Sequence, residues 1–456
     1  MAASFEVVLM ASSNRNTVDY EEWQRRGELR EGENGMLSRR AINCKHRCEA
    51  LLLLVLFVSG CHRSVSNLER GLQFIEITTP AQSGSSVPTI SVGGDKRFYM
   101  VWVEPAGDKV NRLKFSRWNA MQWSPARVIA EGTAVLASAS GEPKLLALDE
   151  RNLAATWMST TQGAKDPDAT SLEISFSKDG GATWSTPVQT SDDKTEGEHE
   201  YASLFPMNGQ FGMAWLDPRR AVSTPPVKPN SNVPAATILL TTTFTKDGAR
   251  GRELLLGNSV CDCCPISSVD TPGGPVLFYR NRDQDETRDI YTTRLQATKW
   301  STGHPVHNDR WRIDGCPTNA AYGDVSGNEM VVAWFTGAED IARVKLAFSE
   351  DYGDHFGEPL IVDEDKPVGH LSSVVLTKRT ALVSWIGRSG RGRALYVQEV
   401  HADGQRTPRQ TIHQYSPNAS IGFPVMAQNG NDILLAWTDS DGGKIRMAHA
   451  VVPAKE

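Results

Sequence analysis

The chain has 456 residues, of which 39% are hydrophobic, and it carries a formal net charge of −6 at pH 7. Acidic and basic residues are mixed along the chain without a basic stripe, which excludes a nucleic-acid-binding surface. The 38 glycines and 24 prolines separate short runs of Val, Ile, Leu and Trp, and long stretches of helical periodicity are absent. This pattern predicts an all-β protein.

The first 60 residues are interpreted as a signal region. The apolar run at residues 50–58, ALLLLVLFV, is shorter than the ~20 residues that span a bilayer, and basic residues between positions 39 and 47 precede it. Small residues at a cleavage site follow it, which completes the pattern of a secretory signal. Residues 1–35 precede an internal Met36 that would begin a signal of ordinary length, so we interpret them as an over-extended start.

The sequence VSGC at positions 58–61 resembles the lipobox of bacterial lipoproteins. The resemblance implies cleavage after Gly60 and lipidation of Cys61, and three acyl chains hold a protein stably on a membrane where one chain is marginal. His62 is not the aspartate that retains lipoproteins in the inner membrane in the best-known systems. The resemblance therefore implies an exported protein on the periplasmic or surface side of the outer membrane. We expect residues 61–456 to form a single domain.

An apolar strand that ends in an aromatic residue recurs along residues 61–456. The aromatic residues are Trp102, Trp157, Trp215, Tyr279, Trp334, Trp385 and Trp437, at spacings of 55, 58, 64, 55, 51 and 52 residues. This period predicts a β-propeller of four-stranded blades, because a single small sheet cannot bury both of its faces. We count seven blades, with six as the alternative. The last repeat lacks a fourth strand, and we expect Leu72–Thr79 to supply it and close the ring.

Two turns share the pattern S-x-D-x-G followed by an aromatic residue. They consist of Ser177, Asp179, Gly181 and Trp184 in the second repeat and Ser349, Asp351, Gly353 and Phe356 in the fifth. The aspartate can accept backbone N–H groups and the glycine allows positive φ, so we assign these turns a structural role. With the whole-chain repeat, they resemble the Asp boxes of the sialidase (neuraminidase) and BNR-repeat β-propellers over residues 70–453.

The resemblance implies a sialidase-like propeller whose ligand lies on the face opposite the Asp boxes. We call this the front face; it holds the loops that precede each first strand and those between each second and third strand. The resemblance also implies glycoside hydrolysis of the sialidase type. The family's first arginine is missing, however, because Ser85-Ser86-Val87-Pro88 stands where the motif Phe-Arg-Ile-Pro is expected. The enzyme and the pure binding protein therefore both remain open.

Polar residues concentrate on the predicted front face of blades three to five. Arginine clusters suit bidentate carboxylate binding, and an aromatic residue beside them suits a sugar or a small anionic ligand. The candidate catalytic residues are Asp217, Arg219, Arg280, Arg282 and, as a nucleophile, Tyr201. The candidate ligand-binding residues are Arg219, Arg280, Arg282, Arg288, Asp289, Trp311, Arg312 and Asn319. The alternative is a solvated charged loop whose ion pairs contribute about 0–1 kcal/mol each.

The sequence SVCDCCP at positions 259–265 places three cysteines in four residues. Cys261, Cys263 and Cys264 share the front face with Cys316, which holds the matching position one blade later. One interpretation is a disulfide from Cys316 to Cys263 or Cys264 that joins blades four and five. A second is a Cu or Zn site, with His199 or His370 as further ligands. A third is a redox centre with a Cys261-x-x-Cys264 step, in which Arg280 or Arg282 lowers a thiol pKa.

Overall fold

The computed structural model describes residues 71–161, 163–191, 195–219 and 237–453. These residues form seven antiparallel sheets, six with four strands and one with a short fifth strand, and in every sheet but the last the strands follow in sequence from the inside outwards. The fold is a seven-bladed β-propeller, and the seven-blade count is confirmed over the six-blade alternative. No helix within the described ranges is long and apolar enough to cross a membrane. The predicted signal region and Cys61 lie outside the described residues.

The strands of the first three blades follow the chain in order. Blade one contains β2 (Ser86–Val92), β3 (Phe98–Gly107), β4 (Val110–Arg117) and β5 (Arg127–Gly132). Blade two contains β6 (Lys144–Ala147), β7 (Leu153–Thr160), β8 (Thr170–Ser177) and β9 (Val188–Gln189). Blade three contains β10 (Glu200–Met207), β11 (Gln210–Asp217), β12 (Thr237–Phe244) and β13 (Leu254–Val260).

The next three blades repeat this order. Blade four contains β14 (Ser267–Thr271), β15 (Gly274–Arg280), β16 (Ile290–Gln296) and β17 (Lys299–Trp300), and the short β18 (His304–Pro305) also pairs with β16. Blade five contains β19 (Ala321–Ser326), β20 (Glu329–Thr336), β21 (Arg343–Ser349) and β22 (Leu360–Asp363). Blade six contains β23 (Gly369–Thr377), β24 (Thr380–Ser389), β25 (Gly392–His401) and β26 (Gln410–Tyr415).

The seventh blade joins the two ends of the described chain. It contains β27 (Val425–Asn429), β28 (Asp432–Asp439) and β29 (Lys444–Val451), and its outer strand is β1 (Ile75–Ile77). Ile75 pairs with His449 and Ile77 with Met447. The prediction that the segment Leu72–Thr79 closes the ring is confirmed. Closure in this way pairs an edge that β29 would otherwise leave open.

The core lies between the blades. Seven hydrophobic clusters surround the central axis, and each one joins side chains of two neighbouring blades. The repeated aromatic residues are buried in them, with at most 3% exposure. Burying a tryptophan removes about 150–250 Å² from water, which stabilises the fold by about 4–6 kcal/mol at ~25 cal/mol per Å². The period seen in the sequence is therefore the spacing between successive blade interfaces.

The two turns with the S-x-D-x-G pattern follow the third strands of blades two and five. In each turn the serine Oγ accepts a hydrogen bond from the glycine N–H, at 2.8 Å in Gly181 and 2.9 Å in Gly353. Both glycines have positive φ, +78° and +85°, so a side chain there would be strained. Strands of a blade alternate in direction, so these turns lie at the end opposite the cysteine loop, which follows β13. The structure thus places the cysteines on the front face.

Candidate functional site

The cysteine loop connects the outermost strand of blade three to the innermost strand of blade four. Val260 ends β13 and Ser267 begins β14, and the N–H of Cys261 donates to the carbonyl of Arg280 at 2.9 Å. Cys263 forms a disulfide with Cys316 in the loop that leads into blade five. This is one of the two pairings that the phase of the repeat predicted, and it joins blades four and five.

The other two cysteines of this cluster are free thiols. Cys261 and Cys264 are each 1% exposed, and their Sγ atoms are 3.5 Å apart. The Sγ of Cys261 also lies 3.6 Å from the Sγ of Cys263 in the disulfide. Cys263 and Cys316 are half-buried, so the disulfide is nearer to solvent than the thiol pair. The Cys261 sulfur therefore lies between the Cys264 thiol and the disulfide.

A buried guanidinium contacts the inner thiol pair. Arg288 is 2% exposed, and its Nη1 donates to the Sγ of Cys261 at 3.3 Å. Burial acts against ionisation, but the hydrogen bond from Cys264 and the charge of Arg288 together lower the pKa of the Cys261 thiol. Burial and the neighbouring Cys261 raise the pKa of Cys264 well above its ordinary value. The two pKa values are thus moved apart, and Cys261 is the more acidic of the two thiols.

Arg280, which we predicted to bind a ligand, is held by main-chain carbonyls. It is 2% exposed, and it donates to the carbonyls of Arg288 at 2.7 Å, Phe335 at 2.9 Å and Asn319 at 3.3 Å. Its guanidinium lies 4.9 Å from the centre of the Trp311 ring. Trp311 is itself 2% exposed, so it packs in the core. This arginine fastens blade four to blade five.

The remaining charged residues of blade four also contact one another. Arg282 makes two hydrogen bonds to the carboxylate of Glu286, at 3.0 and 3.1 Å, and Arg288 makes a third at 2.9 Å. The buried Asp289 accepts the N–H groups of Arg310 and Trp311 at 2.9 and 3.0 Å, and burial raises its pKa. Arg312 is exposed beside Asp285. Arg282 and Arg288 thus share the single carboxylate of Glu286, and Nη1 of Arg282 and Nε of Arg288 make no hydrogen bond.

Asp217 and Arg219 form a separate group in blade three. Asp217 is fully buried; it accepts the Trp215 indole N–H at 3.0 Å and two guanidinium N–H groups of Arg219 at 2.7 and 2.9 Å. Arg219 also donates to Glu253 and to Ser191. The predicted catalytic set is thus divided between two blades.

The same arrangement of tryptophan, carboxylate and cation recurs in other blades. Trp102 donates to Glu104, which pairs with Lys114, and Trp334 donates to Asp309, which pairs with Lys345. A carboxylate thus satisfies the indole N–H that burial would otherwise leave unpaired. The sequence signal for the first case and for Trp215 is the acid two residues after the tryptophan; for Trp215 this acid is Asp217, which we had predicted as a candidate catalytic residue.

Tyr201 and Glu200 begin the innermost strand of blade three. Tyr201 is 7% exposed, its hydroxyl donates to the carbonyl of Cys263 at 3.1 Å, and burial raises its pKa well above the ordinary value. Burial and the carboxylates of Glu198 and Asp262 raise the pKa of Glu200 to about 8, so it is protonated at neutral pH. Sequence reasoning assigned no role to Glu200, since its neighbours come from three different loops.

Neither histidine that we predicted as a metal ligand joins the cysteines. Within the described part of the chain, the groups with metal-ligand geometry near Cys263 contain only cysteines and Asp262. His370 lies against the Phe423 ring with centroids 4.4 Å apart, at the start of blade six. Asn319, another predicted ligand residue, is buried and accepts the N–H of His370 at 2.8 Å. The cysteine sulfurs are ligands that a soft metal ion prefers, but those of Cys263 and Cys316 are joined in a disulfide.

His199 instead lines a polar cavity at the front of blades two and three. The cavity has a volume of about 230 Å³. Its described lining residues are Thr161, Gly163, Ala164, Thr170, Ser171, Leu172, Gln189, Thr190, Ser191, Thr195, Glu196 and His199. Two of these carry buried polar atoms that make no hydrogen bond, Oγ1 of Thr190 and Nε2 of His199. Buried polar groups without a protein partner are normally satisfied by ordered water or by a ligand.

Comparison with known proteins shows no family for this chain. No family model matches the chain, and no curated protein matches it. Among solved structures, a protein of unknown function from Dyadobacter fermentans has a TM-score of 0.45 at 13% identity, covering 84% of this chain and 99% of that one. The polysaccharide lyase Uly1 has a TM-score of 0.45 at 10% identity, covering 86% of this chain and 95% of that one.

A viral protein gives a similar result. The subtype N10 neuraminidase-like protein of the influenza strain A/little yellow-shouldered bat/Guatemala/060/2010 has a TM-score of 0.42 at 8% identity. The match covers 84% of this chain and 99% of that one. The seven-bladed fold itself is given by the strand order of this chain.

Proposed function

We propose that this chain is an exported, lipid-anchored β-propeller that binds a neutral carbohydrate in the front-face cavity of blades two and three. The observation that carries the proposal is the buried Oγ1 of Thr190, which makes no hydrogen bond, together with Nε2 of His199 in the same cavity, which makes no hydrogen bond and lies 3.7 Å from the Asp217 carboxylate. Thr190 is 1% exposed and His199 is 6% exposed. Leaving such groups unsatisfied costs about 1–3 kcal/mol each, a cost that a hydroxylated ligand would remove.

Both residues can hydrogen-bond to a hydroxyl group. Nδ1 of His199 donates to the carbonyl of Thr170 at 3.1 Å. Nε2 makes no hydrogen bond and lies 3.7 Å from Oδ2 of the buried Asp217, while the Thr190 hydroxyl can donate or accept. Neighbouring hydroxyls of a sugar match this pair, because each hydroxyl also donates and accepts.

The size and charge of the cavity narrow the ligand class. Its volume of about 230 Å³ lies below the ~300–1,000 Å³ of drug-sized pockets, which fits one sugar residue. The described lining residues include the carboxylate of Glu196 and neither lysine nor arginine. A neutral sugar therefore fits better than an acidic one. The arginines that would hold a sialic acid carboxylate are instead engaged with carbonyls and with Glu286.

The path of the first strand is consistent with a membrane anchor behind the propeller. Ile75 pairs with His449 near the end of β29, whereas Ile77 pairs with Met447, so β1 begins at the back and runs toward the front. A tether from a lipidated Cys61 would thus reach the propeller from the back. The front-face cavity would then point away from the membrane, toward a glycan.

Titration of the purified protein with a panel of sugars tests the carbohydrate site. We expect binding of neutral mono- or oligosaccharides by calorimetry, and we expect Thr190→Val to weaken it about tenfold, since a lost hydrogen bond costs about 1.4 kcal/mol. Thr186→Val is the matched control, because Thr186 is exposed and outside the cavity. Preference for sialylated sugars, equal weakening in both variants, or no binding to any sugar would contradict the proposal.

Fractionation of cells that express the full chain tests the anchor. We expect the unaltered protein in the outer-membrane fraction and the Cys61→Ser variant in the soluble fraction or uncleaved, because the sulfur that carries the lipid is missing. His62→Ala is the control and should remain with the membrane. Retention of mature Cys61→Ser protein on the membrane would show that another element anchors it.

A further inference from the structure

We propose that the front-face cysteine cluster is a thiol–disulfide exchange centre in which Cys261 transfers the disulfide between two cysteine pairs. The outer pair is Cys263–Cys316, which is bonded in the structure, and the inner pair is Cys261 and Cys264, which is reduced. This inference goes beyond the carbohydrate site and does not depend on it. It assigns an internal exchange that moves one disulfide between the two cysteine pairs.

Sulfur positions supply the first support for the proposal. Cys261 Sγ lies 3.6 Å from Cys263 Sγ on one side and 3.5 Å from Cys264 Sγ on the other. These distances are close to contact between sulfur atoms, so either bond could form after small side-chain movements. Cys261 is the one sulfur for which both contacts are observed, which makes it the natural carrier between the pairs.

The charge around Cys261 supplies the second support. Exchange requires a thiolate as the attacking group. Arg288 donates to the Cys261 sulfur at 3.3 Å, and Glu286 holds the same guanidinium from the other side at 2.9 Å. The charged groups that act on the thiols are Arg288 and Asp262 for Cys261 and Arg280 for Cys264, and the titratable Tyr201 interacts with both. The cation in direct contact stabilises the anion that exchange needs.

The reaction proceeds in two balanced steps. The Cys261 thiolate attacks Cys263 Sγ; the Cys261–Cys263 bond forms, the Cys263–Cys316 bond breaks, and the electron pair leaves on Cys316. Cys316 then takes the proton of the Cys264 thiol. The Cys264 thiolate attacks Cys261 Sγ, and Cys263 leaves as a thiolate. The cluster contains one disulfide, one thiol and one thiolate before and after the exchange. No electrons enter or leave it, so no external oxidant or reductant is consumed.

The exchange has a structural consequence because the two pairs differ in exposure and in what they join. The inner pair is 1% exposed, while Cys263 and Cys316 are half-buried. Moving the disulfide inwards therefore delivers two thiols to the side from which a small thiol or disulfide can approach. It also releases the bond between the loops that enter blades four and five. The redox state of the cluster would thereby alter how the front face is held together.

Alkylation of the native protein without added redox reagent tests the exchange. Cys316 is bonded in the structure, so N-ethylmaleimide can label it only after the disulfide has moved. We expect time-dependent labelling of Cys316 in the purified, unaltered protein, detected by peptide mass spectrometry after acid quenching, with a growing Cys261–Cys264 disulfide. The Cys261→Ser variant should show at least a tenfold slower labelling of Cys316.

Two further variants separate the steps and the charge effect. Cys264→Ser should still allow Cys316 labelling but should accumulate a Cys261–Cys263 disulfide. Arg288→Gln should slow labelling about tenfold at pH 7 and regain the rate at pH 9, where the thiol ionises without help. Circular dichroism identifies any variant that has not folded. The labelling rates of the folded variants then test the exchange proposal.

Three results would overturn the exchange proposal. The first is native protein in which Cys316 stays unlabelled over hours. The second is equal labelling in the Cys261→Ser variant, which would require another route. The third is protein purified under mild conditions that carries stoichiometric Cu or Zn on the inner thiols, or that already contains both disulfides. Each of these is distinguishable from failure of sugar binding, because the sugar titration does not involve the cysteines.

Discussion

Replacing Asp217 by alanine is expected to destabilise the propeller by about 3–5 kcal/mol, because it removes the buried partner of a cation. The Asp217 carboxylate is fully buried and accepts the indole N–H of Trp215 as well as two N–H groups of Arg219. The substitution would leave both donors without this acceptor inside the blade. Urea denaturation followed by tryptophan fluorescence measures the change in the free energy of unfolding.

The exposed ion pair of Asp285 and Arg312 supplies the control. Asp285→Ala should change stability by less than about 0.5 kcal/mol, because both side chains of that pair are more than half exposed, at 57% and 66%. Asp217→Asn keeps the volume but loses the charge, so we expect an intermediate effect. A small change in Asp217→Ala, together with lost activity or binding, would instead favour the catalytic role that sequence analysis considered.

The stabilisation of the fold by the Asp217 carboxylate depends on pH in a definite direction. Burial acts to raise the pKa of Asp217, but the hydrogen bonds from Arg219 and Trp215 outweigh it and hold the pKa below its ordinary value. The carboxylate therefore contributes to the free energy of unfolding above its unfolded-state pKa of about 4. This contribution is lost as the pH falls through the lower folded-state pKa. The stability difference between the unaltered protein and Asp217→Asn should narrow on acidification.

Replacing Arg280 by alanine is the second change with a large expected effect. We expect a loss of about 3–5 kcal/mol, because the variant leaves the carbonyls of Arg288, Phe335 and Asn319 without their donor and opens a cavity beside Trp311. Arg280→Lys should recover only part of this, since one ammonium cannot reproduce the planar fork of donors. Urea denaturation again gives the free energy of unfolding.

The matched control is a second arginine of the same predicted set. Arg312 is 66% exposed, and Arg312→Ala should change stability by no more than about 0.5 kcal/mol. The comparison also separates a structural from a ligand-binding arginine. If Arg280→Ala folded with unchanged stability and lost ligand affinity, the role inferred from its carbonyl contacts would be wrong.

The fold could be predicted from sequence because its period is a packing requirement. Each blade must bury an aromatic residue against the next blade, so the repeat from Trp102 to Trp437 follows the ring directly. Closure by Leu72–Thr79 was also predictable, since a final repeat with three strands leaves an edge that only the other end of the chain can pair. The local turn chemistry of Gly181 and Gly353 agreed with this topology.

The roles of the polar residues could not be predicted in the same way. Arg280 and Arg312 both lie in charged segments beside the cysteines, yet one is 2% exposed and the other has a side chain that is 66% exposed. The difference in exposure arises because Arg280 meets carbonyls of blade five, which are distant from it in the chain. The cavity at Thr190 and His199 was missed for the same reason, since hydroxyl residues there look like ordinary loop residues.

The sequence by itself determined the repeat that builds the blades, the face on which the cysteines lie and the phase that brings Cys316 near Cys263, because all of these follow from a period. Only the tertiary structure decided which sulfurs are joined, which thiols are buried and which arginine touches Cys261. The physical reason is that bonding and ionisation depend on ångström-scale distances and on burial. Residues from separate loops set both, and no repeat in the sequence records them.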